Sequence, residues 1–184
     1  MRRYMEFYLS KILSSSNDYK IINPNKKELI KFGVYPNDNS YSEENMRELL
    51  LSYIKKLDFF PIYIHVMASA WTNFSSDNST TKIINTVHGE YEYTIGLIKT
   101  LEEFIDCFPD AYSDATNGQM VVISSEKDIL SVNPMKSSLK FEFNFNTFLE
   151  PIFHLIIHAD GDCWDFISNI DNHPFEELPI CDED

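Results

Sequence analysis

Apolar residues recur along this chain at two spacings, and the spacings predict its elements. Three- and four-residue steps through Tyr4, Met5, Tyr8, Leu9 and Ile12 predict an amphipathic first helix ending at the serine run Ser14–Ser16. Lys26–Phe32 predicts a short second helix closed by Gly33. Ser42, followed by Glu43 and Glu44, marks a helix start with acids beside the positive end of the dipole. Met46, Leu49, Leu50, Tyr53, Ile54 and Leu57 then continue that helix as one apolar stripe. Thr100-Leu101-Glu102-Glu103 is a capping box, opening a helix with Leu101, Phe104, Ile105 and Phe108 inward and Pro109 ending it. Ser125 is expected to cap a short helix through Leu130.

The second spacing is that of strands. Tyr19–Ile22 predicts a short strand stopped by Asn23-Pro24, and Pro61–Met67 a continuous β-prone run covered on both faces, in which His65 reads as a core histidine. Thr81–Val87 and Glu90–Leu97 flank His88-Gly89 as a hairpin. Pairing Val87 with Glu90 sets Ile84, Tyr91, Tyr93 and Ile95 on one face and Asn85, Glu90, Glu92 and Thr94 on the other. Asn117-Gly118 turns into a strand over Gln119–Ile123. Leu139, Phe141, Phe143 and Phe145 alternate with Lys140, Glu142, Asn144 and Asn146, a half-buried strand whose polar side faces water or a partner.

The clearest hairpin lies in the final segment, Ile152–Asp184, where two apolar runs flank Asp160-Gly161, a pair suited to the positive φ of a type I′ turn. In that register Ala159 faces Asp162, His158 faces Cys163, Ile157 faces Trp164, Ile156 faces Asp165 and Leu155 faces Phe166. Phe153, Leu155, Ile157, Trp164 and Phe166 then form a core face; His154, His158, Cys163 and Asp165, with Ile156 and Ile167, form the other. Meandering strands with helices gathered early and mid-chain imply an α+β fold, a mainly antiparallel sheet with several hairpins packed by three to five helices. No repeat or linker divides residues 1–184, so a single domain with an acidic C-terminal segment over 171–184 is expected.

Charge changes the picture more than composition does. Of a formal −14, residues 1–56 contribute +3, 57–140 contribute −6 and 141–184 contribute −11, with Lys140 the last basic residue. Such a surface repels nucleic acid and anionic lipid and steers basic partners toward it. Three widely spaced cysteines, Cys107, Cys163 and Cys181, argue against a disulfide framework, and Glu6 and Lys11 interrupt any export signal, which points to a cytoplasmic protein. The longest apolar stretches, Phe59–Trp71 and Phe148–Ala159, are too short to span a membrane as helices.

Candidate chemistry is sparse. His154 and His158 with Asp160 and Asp162 resemble a metal cluster, but on a strand the two histidines lie about 13 Å apart, too far to share one ion. His158 with Cys163 is at most half a zinc site, and the Asp160-Gly161-Asp162 turn lacks the ligand spacing of a calcium loop. No phosphate loop, dinucleotide fingerprint, GxSxG or HExxH occurs. No metal and no cofactor are expected, and an enzyme is the lesser alternative: a small hydrolase or metal-dependent protein using His158, Cys163 and Asp165. Recognition is the leading expectation. The acids Asp171, Glu176, Glu177, Asp182, Glu183 and Asp184 interleave with Phe175, Leu178 and Ile180, a pattern suited to docking on a basic, partly apolar patch.

In its charge, its basic-free stretch after Lys140 and its small, aromatic-rich α+β profile, the chain resembles the immunity proteins of bacterial toxin–immunity pairs, including those of contact-dependent growth inhibition. The resemblance is one of profile and not of motif. It implies an antitoxin that binds a cognate toxin, often a basic nuclease, plugging its active site or covering its substrate groove. Asp165, Asp171, Phe175, Glu176, Glu177, Asp182 and Glu183 are the expected partner-binding residues, and a general interaction adaptor is the remaining alternative.

Overall fold

The computed structural model describes residues 7–11, 19–22, 30–36, 42–69, 72–87, 89–131, 141–144, 153–158, 161, 163–169 and 178. In chain order the elements are β1 (Phe7–Lys11), β2 (Tyr19–Ile22), β3 (Ile30–Pro36), α1 (Glu43–Leu57), β4 (Ile62–Ala68), β5 (Ser79–Thr86) and β6 (Gly89–Ile98). Then follow α2 (Leu101–Thr116), β7 (Met120–Ser124), β8 (Leu130–Ser131), β9 (Phe141–Asn144), β10 (Phe153–Ile157) and β11 (Trp164–Ser168). Eight strands form one antiparallel sheet in the order β1-β3-β11-β10-β7-β4-β6-β5. A smaller sheet, β2-β9-β8, joins β2 to β9 in parallel and β9 to β8 antiparallel. The fold is therefore α+β and mainly sheet. Two helices, rather than three to five, occur among the described residues.

Alternation divides each central strand between two cores. Ile62, Ile64, Val121, Ile123, Phe153, Leu155, Ile157, Trp164 and Phe166 point to the helices, where they meet Leu49, Leu50, Phe104, Phe108 and Ala111. Val122, Ile156 and Ile167 point the other way, into a smaller cluster with Phe143 of β9 and Ile129. All five residues of β10 and all five of β11 are buried.

Helix α1 begins where its sequence says it should: Ser42 Oγ accepts from Asn45 N–H at 3.3 Å, and Asp58 ends the helix in the left-handed region at φ 44°. Its stripe carries Tyr53, whose ring stands edge-on to Phe166 at 5.1 Å, and Met46, whose sulfur receives the Trp164 indole N–H at 2.9 Å. Helix α2 has a modified capping box: Thr100 Oγ1 accepts from Glu103 N–H, while the Glu103 carboxylate reaches past the cap to Lys99 N–H at 2.6 Å.

Several expectations are corrected. Phe7–Lys11 is a strand paired with β3, not part of a helix, because sheet pairing outweighs a stripe of only nine residues. The helix expected over Lys26–Phe32 is replaced at its end by β3, and residues 26–29 lie outside the described residues. Gly33 is a strand residue instead of a helix stop: a Cβ there would collide with the Tyr35 ring. Pro109 does not end α2, which runs on to Thr116 because Ala111, Tyr112 and Ala115 bury against the sheet; Ile105 is 40% exposed rather than inward. Ser125 opens no helix, since its N–H donates to the Phe153 carbonyl at 3.1 Å and the chain proceeds into β8.

The β5–β6 hairpin keeps the expected faces but slides by two residues, pairing Asn85 with Glu90. Thr81 and Thr94 hydroxyls meet across it at 2.8 Å. The β10–β11 register is the expected one, with Ile157 opposite Trp164 and Ile156 opposite Asp165. Of the strand expected with alternating faces through Phe145, β9 is present over Phe141–Asn144 with Phe143 buried, and the rest lies outside the described residues. No helix among the described residues is long and apolar enough to cross a membrane.

Asp114 ties α2 to the segment after β4. Buried to 1% exposure, its carboxylate accepts from Thr72 Oγ1 at 2.5 Å, Asn73 N–H at 2.8 Å and Phe74 N–H at 2.9 Å. These bonds seat the Phe74 ring over Gly96, where an added Cβ would meet it at 2.5 Å. Replacing Asp114 with Ala removes all three bonds that this buried carboxylate accepts, so urea unfolding should show a loss of about 2–4 kcal/mol. A change below about 0.5 kcal/mol would show that the clamp carries no weight.

Candidate functional site

The face of the large sheet turned from the helices carries most of its buried polar side chains. His65 of β4 bonds Tyr93 OH through Nδ1 at 2.8 Å and the Glu126 carbonyl through Nε2 at 3.0 Å. A carbonyl can only accept, so the neutral ring carries its proton on Nε2 and takes the Tyr93 hydroxyl proton at Nδ1. Burial lowers the His65 pKa to about 4, against the partial offset of the Glu126 carbonyl. Two strands away, His154 Nδ1 lies 2.9 Å from Ser124 Oγ, which accepts from Glu126 N–H at 2.8 Å. The Glu126 carboxylate stands 3.6 Å from His154 Nε2, beyond hydrogen-bond reach. Burial, followed by the nearby His65, holds His154 well below the usual histidine range. This row is an internal polar lattice that keeps two imidazoles neutral.

At the open end of the same face, His158 Nε2 meets Asp165 Oδ2 at 2.9 Å. Asp165 is 3% exposed, so this carboxylate belongs to the interior and is unavailable for the partner contact expected of it. Cys163 sits across the hairpin from His158, whose N–H donates to the Cys163 carbonyl at 3.0 Å. The turn between them is pinned: Gly161, at φ +71°, donates to the His158 carbonyl at 2.9 Å, and its own carbonyl receives the Tyr112 hydroxyl at 2.7 Å. Of the expected site residues, Asp171, Phe175, Glu176, Glu177, Asp182 and Glu183 lie outside the described residues.

A different acidic surface stands on α2. Glu102, Asp106 and Asp110 recur every fourth residue and are exposed, beside exposed Ile105 and Pro109. Each four-residue step turns about 400°, so by Asp114 the row has rotated roughly 120° toward the sheet and the fourth carboxylate is buried. Between α2 and the loop Ser75–Asn78 runs an open groove of about 250 Å³, bordered by Asp77, Glu103, Asp106 and Asp110 with Cys107 at its wall. Burial pushes the Cys107 thiol up to about 11, and Glu103, Asp106 and Asp110 add to the rise. Three carboxylates thus make the groove negative at the depth of the thiol. The four-residue spacing of Glu102, Asp106 and Asp110 is present in the sequence itself.

Among the described residues, no group of three or more His, Cys, Asp or Glu side chains is placed to hold a metal ion. No family profile, curated protein or solved structure matches the chain.

The neutral histidines make stability depend on pH. Unfolded histidine titrates near 6.5 and folded His65 near 4, so the stabilisation is present above pH 6.5 and is lost as pH falls toward 4. Urea unfolding between these limits should show a fall to which His65 contributes about 3 kcal/mol. His65→Gln should make the slope shallower, and an unchanged slope would contradict the assignment.

Proposed function

We propose that the chain is an acidic inhibitor of a basic protein, most concretely an immunity protein that neutralises a nuclease toxin in the cytoplasm. The observation that carries this reading is the outer face of α2, where Glu102, Asp106 and Asp110 stand in a row with Ile105 and Pro109 and no basic residue occurs in the helix. Charge sets the encounter and an apolar anchor slows dissociation, and here both lie on one rigid element. The groove beside it adds Asp77 and Glu103 to the same negative field. The acidic segment 171–184 adds further charge of the same sign.

The mechanism is occlusion. Carboxylates on α2 take the place of substrate phosphates against the toxin's Lys and Arg side chains, while Ile105 seals the contact from water.

The test is kinetic. Titrated against basic nuclease toxins from its own host, the protein should abolish cleavage at one-to-one stoichiometry, with an association rate that falls as salt rises. Asp106→Lys with Asp110→Lys should slow association at least tenfold at low salt while leaving the melting temperature near that of the parent. An association rate indifferent to both salt and charge reversal would remove the α2 face from the mechanism.

A further inference from the structure

We propose that the β5 edge of the large sheet is a self-association surface, at which two copies of this chain pair antiparallel about a two-fold axis at Ile83 and join their sheets into one. The inference does not rest on toxin binding.

Strand β5 ends the sheet, and among the described residues no strand pairs with its outer side. The ladder to β6 fixes which of its backbone groups are left open. Leu97 N–H donates to the Asn78 carbonyl at 3.3 Å, so these two form a hydrogen-bonded pair, and along the same register Thr80–Ile95, Lys82–Tyr93 and Ile84–Tyr91 are pairs of that kind. Thr81, Ile83 and Asn85 alternate with them, so their N–H and C=O groups point away from β6. The hydroxyls of Thr81 and Thr94, 2.8 Å apart, agree with this phase, because side chains stand closer in pairs that exchange no backbone bonds.

An open edge is ordinarily guarded by short length, a proline, a bulge or a lysine. Strand β5 has eight residues, neither proline nor glycine, and an unbroken register with β6. Its one lysine, Lys82, lies back over the Tyr93 ring at 4.9 Å, on the β6 side and away from the open edge. Thr81 and Asn85 are exposed and Ile83 is 54% exposed, so the edge is accessible.

Symmetry and charge select a second copy as the occupant. With the axis at Ile83, each Ile83 faces its counterpart and each Thr81 faces Asn85 of the second copy, and every such pair can exchange two backbone hydrogen bonds. An axis at Lys82 would set two ammonium groups opposite each other, and an axis at Ile84 would leave the exposed Ile83 against an asparagine. Although the chain carries −14, no acidic residue occurs between Asn78 and Gly89. Glu92, opposite Ile83 on β6, would stand three strand spacings from its counterpart, about 14 Å and beyond the screening length at physiological salt. Two acidic proteins therefore meet here along a strand that holds little of their charge.

The experiment is sedimentation equilibrium of the full chain from micromolar to millimolar concentration, which should show a reversible monomer–dimer equilibrium. Ile83→Lys, which places like charges opposite each other at the axis, should weaken dimerisation about tenfold or more while leaving the melting temperature at low concentration unchanged. Under mild oxidation Ile83→Cys should link two copies at the substituted position, where facing Cα atoms lie about 5.5 Å apart. Lys82→Cys should not, since its counterpart lies about 7–8 Å away on the diagonal. Mass spectrometry of the linked peptides separates these bonds from any made by the native cysteines. A monomer at every concentration up to the millimolar range overturns the proposal, as does a dimer that Ile83→Lys leaves intact or one in which the two cysteine variants cross-link equally.

Discussion

Burial of the central strands on both faces is the constraint on which the rest of this structure depends. Strands β10 and β11 have no exposed residue, so every polar side chain they carry must find a partner inside the protein. That requirement accounts for the pairing of His154 with Ser124 and of Asp165 with His158, and it accounts for the neutrality of the buried imidazoles. The helices cover one face with an apolar core, and the small sheet covers the other through Phe143 and Ile129. An all-apolar second face would bury as much surface without these partners; the chain instead places its titratable groups where their geometry is dictated by strand register.

Local pattern was enough wherever a long stripe or a clean alternation met suitable caps. The α1 stripe, the Thr100 cap and the β10–β11 register were all legible, because each depends on contacts between residues near in sequence. Expectations failed where distant pairing decided the outcome. Phe7–Lys11 gains its hydrogen bonds from β3, and Ser125 gains its partner from Phe153, neither of which has a local signature. Pro109 follows the same rule: the residues beyond it, Ala111, Tyr112 and Ala115, are held helical by the sheet against the local cost of a proline.

The candidate sites were legible in part. Parity along the hairpin placed His158, Cys163 and Asp165 on one face, and the structure adds that Asp165 is enclosed and bonded to His158. The sequence could not show that this nominally outer face is roofed, because the roof comes from β8, β9 and the loop bearing Glu126 and Ile129. The acid row of α2 was visible as a four-residue spacing, and only the packed helix shows which of its carboxylates stay outside.

Helix α2 also joins parts of the molecule that share no sequence neighbourhood. Within one turn of it, Tyr112 fastens the β10–β11 turn through Gly161 and Asp114 fastens the segment around Phe74. The loop and the turn therefore cannot open independently of that turn of helix, and fraying at its C-terminal end would loosen both at once. In energetic terms the last turn of α2 is a common hinge pin, one short piece of backbone whose order is a condition for order at two remote places.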